Sequence, residues 1–147
     1  METILYPDQY NLLWRFSWFA MLSGCYATYT QHYNHAIACY VVLITSLNYW
    51  RYPENPSWSR FLDMTCVKLA LAHHIITAYS MSNRIPYYIL IATGLASYQL
   101  GVELYKREYW WASVYAHAMV HVIGNIGNII LYSSEPISLS PLITDKI

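Results

Sequence analysis

The run 110–132, WWASVYAHAMVHVIGNIGNIILY, constrains this chain more than any other stretch. It is the longest apolar run in the sequence, and it carries His117, His121, Asn125 and Asn128. At about 100° per residue these offsets fall within about 80° of one another on a helix, so the polar groups make one stripe on an apolar cylinder. A helix of this length matches the thickness of a bilayer, and its stripe has to face something polar.

The remainder of the chain fits the same setting. Hydrophobic residues make up 56% and charged residues only 11%, whereas soluble domains carry about 25% charged residues. The 16 tyrosines and 6 tryptophans lower the mean hydropathy, but both residue types favour membrane interfaces. Eight basic residues balance eight acidic ones, which excludes a nucleic-acid partner or a polybasic lipid-binding patch and leaves the bilayer as the expected surrounding. Cys25, Cys39 and Cys66 are too scattered for a disulfide framework and read as small apolar packers. The opening METILYPDQY has no basic n-region, so the first apolar segment is expected to remain as an anchor.

The expected architecture is all-α: a single domain forming a polytopic membrane bundle of about five helices, over 11–30, 35–50, 59–80, 85–104 and 110–132, with a polar tail over 133–147. RYPENPSWSR ends the second helix through its prolines, and a serine caps the third near Ser59. Pro86 suits the first turn of the fourth helix, where Ser97 and Gly101 form a small-residue contact face. Arg51, Arg60, Lys106 and Arg107 fall on the side of the amino terminus, and Arg15 reaches toward it, which places that terminus in the cytoplasm.

Ionisable side chains at membrane depth cost at least about 2.5–3.5 kcal/mol each, so each needs a partner or a task. Asp63 and His74, eleven residues apart on the third helix, share a face that meets the stripe of the fifth. Asp63, Lys68, His73, His74, His117 and His121 are therefore expected to line one cleft. His117 and His121 stand one turn apart, a spacing that suits a divalent ion; zinc is the candidate, with His74 as the third ligand and His73 or Asp63 as substitutes. No glutamate follows His117, which excludes the HExxH metalloproteases. The bland reading, which stands ahead of the metal, is a pair of interface histidines hydrogen-bonded to Ser, Tyr or Asn across a bundle. Lys68 is expected to pair with Glu103 or Gln99 or, if desolvated, to act as a nucleophile, so Asp63 and Lys68 are the candidate catalytic groups. Asn125 and Asn128, within GNIGN, satisfy partners where a neighbouring helix comes close. His32 and His35 belong to a short, solvated loop.

Three resemblances arise from these residues. Ser46, Asp63, His117 and His121 together resemble the pattern of the seven-span membrane hydrolases that include alkaline ceramidases and adiponectin-type receptors; this likeness implies a zinc-activated water cleaving a lipid amide. Two features depart from that pattern: Trp50 stands where it has a histidine, and five spans are expected in place of seven. LAHHIIT, at 71–77, is similar to the double-histidine segment of ceramide synthases and related TLC-domain proteins, although the paired aspartates of that family are absent. TSLNYWRYP with the following Asp63 resembles small multi-pass membrane proteins of algae and their large viruses, a likeness that implies no activity.

These residues support three functional readings. The first is a non-catalytic protein whose polar cleft is structural, channel-like or transport-related, with helix faces able to form a homo-oligomer. The second is a zinc-dependent hydrolase of a lipid amide or ester, with His117, His121 and His74 as ligands and Asp63 orienting water. The third is a bis-histidine haem protein bridging the third and fifth helices.

Overall fold

Pro7 presets the backbone for a first helical turn, and the Gln9 side chain accepts the Tyr6 amide at 3.1 Å, so helix α1 (Pro7–Ser17) starts earlier than the apolar pattern does. The computed structural model describes residues 3–137, and within them every regular element is a helix. Between α1 and α2 (Phe19–Tyr29) only Trp18 intervenes, where a three-residue turn closes from the Met21 amide to the Trp18 carbonyl at 3.0 Å. The buried Ser17 hydroxyl donates back to the Leu13 carbonyl at 3.0 Å, a contact that bends helices. The two elements therefore act as one rod with a bend.

At the end of α2 the Gln31 and His32 amides return to the carbonyls of Thr28 and Ala27, at 3.1 and 2.8 Å. That closure needs a left-handed residue, and Gln31 supplies it at φ 62°. The end of α5 (Arg84–Lys106) repeats the device, with Glu108 at φ 63° and the Tyr109 amide on the Leu104 carbonyl at 3.0 Å. A left-handed non-glycine residue costs about 1–2 kcal/mol. Gln31→Gly and Glu108→Gly are each expected to raise stability by about 0.5–1 kcal/mol after the added flexibility of the unfolded chain is set against this relief. Thermal melts of the single variants in one detergent check the expectation.

Because α2 closes so tightly, α3 (Tyr33–Trp50) begins two residues before the expected position. The next helix, α4 (Trp58–Ala78), is capped by Ser57, whose hydroxyl accepts the Arg60 amide at 3.2 Å; the cap thus lies two residues before the expected serine. The last helix, α6 (Trp110–Tyr132), has the expected limits. Of these helices, α4 and α6 are long and apolar enough to cross a membrane, with mean hydropathies of 1.2 and 1.4.

The helices form an open ring. α4 packs on α3, α3 on the α1–α2 rod, the rod on α6, and α6 on α5, while α5 barely touches α4. The closest seam joins α5 to α6, as the small residues anticipate. Ser97 donates to the Ala116 carbonyl and Ser113 to the Gly101 carbonyl, both at 2.8 Å. Two apolar clusters close the two ends of the ring. One gathers Leu5, Leu13, Tyr49, Trp50, Val114 and Ala118; the other gathers Ala27, Ala36, Cys39, Ala78, Tyr87, Leu131 and Tyr132 with Met81. Residues 135–137 do not lie loose: the Ile137 amide donates to the Ser80 carbonyl at 2.8 Å, and the Ser82 amide to the Glu135 carbonyl at 2.9 Å. The expected polar tail beyond residue 137 lies outside the described residues.

Candidate functional site

Between the two end clusters lies a cavity of about 300 Å³. α4 lends it Asp63, Lys68 and His74, α6 lends His117, His121, Asn125 and Asn128, and Ser46 and Trp50 enter from α3. The polar stripe of α6 and the polar face of α4 thus look into one space. The polar groups divide into three sets with different chemistry.

The first set centres on Asp63, which is 5% exposed. Its Oδ1 accepts the Ser46 hydroxyl at 2.6 Å and the Thr45 hydroxyl at 3.2 Å. Both donors come from consecutive residues of α3, so the carboxylate fastens α4 to α3 as well as facing the cavity. Removing it leaves the buried Ser46 hydroxyl without that acceptor, and Asp63→Ala is expected to destabilise by about 1–3 kcal/mol. Asp63→Asn, which keeps an acceptor oxygen, should lose less; denaturant titration of both variants separates the two outcomes.

The second set is His117 and His121, whose ring centroids lie 5.5 Å apart on successive turns of α6. His117 is bounded by aromatic rings, with Trp50 at 5.0 Å and Tyr98 at 6.0 Å, both edge to face. The Nε2 of His121 is buried without a hydrogen-bond partner among the described residues. Next to it, Asn125 donates to the His121 carbonyl at 2.6 Å and is also in contact with the Ser23 hydroxyl. The stripe is therefore satisfied at its asparagine end and open at its histidine end.

The third set lies at the opposite end of the cavity; its His73 and His74 were expected in the cleft, its His35, Cys39 and Tyr132 were not. His74 points its Nδ1 at the Ala70 carbonyl and its Nε2 at the Tyr132 hydroxyl, both at 2.5 Å. His35, expected in a solvated loop, is buried instead, because the early start of α3 turns it inward. Its ring centroid lies 4.6 Å from His74, 4.7 Å from His73 and 5.2 Å from Tyr132. Cys39, 3.2 Å from the Tyr132 hydroxyl, completes the group. His35 Nδ1 and His73 Nε2 are buried and unpartnered among the described residues. The HxxH spacing of His32 and His35 was the available signal, but its inward orientation depends on where α3 begins.

The five candidate site residues thus share a cavity but not a centre. His74 spends both ring nitrogens on Ala70 and Tyr132, away from His117 and His121. Among the described residues no three of His, Cys, Asp and Glu are placed to hold one ion. The indole of Trp50 packs on His117 where the hydrolase pattern has a histidine. Lys68 does not pair with Glu103, which is held instead by Lys106 at 2.9 Å.

No family model, curated protein or solved structure matches this chain. Its function has to be read from its own geometry.

Proposed function

We propose that the chain is a multi-pass membrane protein, amino terminus on the cytoplasmic face, whose cavity holds a small guest molecule taken up from the bilayer, as a binding or carrier protein without covalent chemistry. The observation that carries this reading is the reversal of polarity between inside and outside. Outward positions are large and apolar: Ile44 on α3 and Leu69 on α4 are each 67% exposed, and Ile76 is 74% exposed. Inward positions include Ser17, Ser23, Thr45, Ser46, Asp63 and His74, all buried. Water-soluble folds rarely leave apolar patches of that extent uncovered, whereas lipid covers them at no cost. The end clusters favour a cavity stopped at both ends over a through-pore, and the open histidine end of the stripe offers a guest its hydrogen bonds.

Extraction and labelling test the membrane part. The protein should resist alkaline carbonate, and cysteines introduced at Arg51 and Arg107 should react with a membrane-impermeant maleimide only after the cytoplasmic side is opened. Release by carbonate, or labelling of both sites in intact cells, would count against it.

A zinc-dependent hydrolase remains the second reading, favoured by one observation: Ser46 reaches Asp63 at 2.6 Å in the cavity that also holds His117 and His121. The residues present do not fit a three-ligand ion, since His74 is committed elsewhere and Trp50 covers His117. The two readings differ in metal content. The unaltered protein is expected to purify with less than about a tenth of an equivalent of zinc, and Trp50→His, which sets an imidazole beside His117, to raise this severalfold. One equivalent in the unaltered protein would favour the hydrolase.

A further inference from the structure

The charged groups of the cavity differ in how well they are matched. Asp63 is held by two hydroxyls of α3. Lys68 also lines the cavity and forms no ion pair among the described residues; Glu103, the carboxylate expected to meet it, lies outside the cavity on Lys106. An ammonium at membrane depth without a counter-charge is costly, and a guest that brings one gains what the protein lacks.

The way in is equally one-sided. Tyr88 of α5 donates to the Ile75 carbonyl of α4 at 3.1 Å, which joins the two helices near one end of the ring. The opposite end cluster contains no α4 residue, and along their length α4 and α5 barely touch. Met64 and Lys68 of α4 and Leu95 and Tyr98 of α5 line the cavity on either side of this weakest seam, and with Lys68 and Leu95 exposed there this is the side on which a guest from the acyl-chain region can enter. Counted along their helices, Lys68 and His121 stand at similar heights, ten and eleven residues from the first residues of α4 and α6.

A volume of about 300 Å³ is at the small end of ligand cavities and accommodates one chain, not the two of a phospholipid. We propose that the guest is an unesterified fatty acid, entering between α4 and α5 and placing its carboxylate on Lys68, with His121 as the neutral polar neighbour. This rests on the reading of the cavity as a guest site and names the class of guest. A single carboxylate matches Lys68, the one Lys or Arg among the described residues that lines the cavity, and a single chain matches the apolar wall of Ile91, Leu95 and Val120.

The test is saturable binding of tritiated palmitate to the full chain in nanodiscs, with oleate, oleyl alcohol and oleoyl lysophosphatidate as competitors. Palmitate is expected to bind at about one per chain. Oleate should compete fully and oleyl alcohol at least about tenfold more weakly, the loss of one charge-assisted hydrogen bond. Lys68→Met should weaken palmitate by a similar factor while Lys68→Arg keeps it, at unchanged melting temperature.

Equal competition by oleyl alcohol, with Lys68→Met unaffected, would overturn the carboxylate assignment and leave the cavity as a site for a neutral guest. Tighter binding of lysophosphatidate through Lys68 would overturn the fatty acid in favour of a phosphate headgroup. Absence of saturable binding by all of these, unchanged by Leu95→Trp in the opening, would overturn the guest site itself.

Discussion

Gly101→Leu is expected to break the seam between α5 and α6 and to destabilise the protein by about 2–4 kcal/mol. A Cβ built at Gly101 already stands 3.3 Å from the Ser113 carbonyl oxygen and 3.6 Å from the His117 amide nitrogen. Both neighbours are backbone of α6, so they cannot turn aside as a side chain does, and three further carbons require the helices to move apart. Separation also strains the two serine-to-carbonyl hydrogen bonds that cross the same seam, at 2.8 Å each. Gly124 is the internal control: nothing lies within 4 Å of a Cβ there, and Gly124→Ala should be neutral or gain up to about 1 kcal/mol of helix propensity. Reversible unfolding in mixed micelles gives both numbers. Equal effects at the two glycines would show that the seam does not depend on close approach.

Tyr132→Phe carries the second large effect, a loss of about 1–3 kcal/mol that is out of proportion to one oxygen atom. The hydroxyl meets His74 Nε2 at 2.5 Å and Cys39 Sγ at 3.2 Å, and all three residues are buried. Without it the imidazole keeps its bond to the Ala70 carbonyl but leaves its other nitrogen bare in an apolar cluster. His74→Met strands the Tyr132 hydroxyl in the converse way. The double variant removes both polar ends together and should lose less than the sum of the singles, by about 1 kcal/mol or more. Additive losses would mean that the two groups are not bonded to each other in the folded protein.

Features that depend on periodicity were legible in the sequence. The stripe of α6 was readable because spacing on a helix is a matter of angle alone, and the helix that bears it has the limits its apolar run implies. The Ser97–Gly101 contact was readable because only small side chains let two backbones approach. Features that depend on a single local closure were not legible. The burial of His35 follows from Gln31 adopting a left-handed backbone, which carries no compositional signal in a glutamine. Glu103 pairs with Lys106 on its own helix and not with Lys68 of α4, a choice between a local and a distant partner that the sequence alone does not decide. The Trp50 position was recognised as a missing histidine, but its packing as a lid on His117 is a matter of tertiary shape.

The attachments of α4 bear on the order in which the protein is made. Its start follows a loop gripped by early residues, through the Ile4 amide on the Pro53 carbonyl at 3.0 Å. The turn after its end is gripped by late ones, through Ile137 on Ser80 and Glu135 beneath Ser82. Synthesis runs from the first grip to the second, so a nascent chain holds α3 and α4 together well before the second clasp exists. The clasp on the far end of α4 therefore forms only after residue 137 has been made, and until then α4 is tied to the rest of the chain through α3 and its leading loop alone.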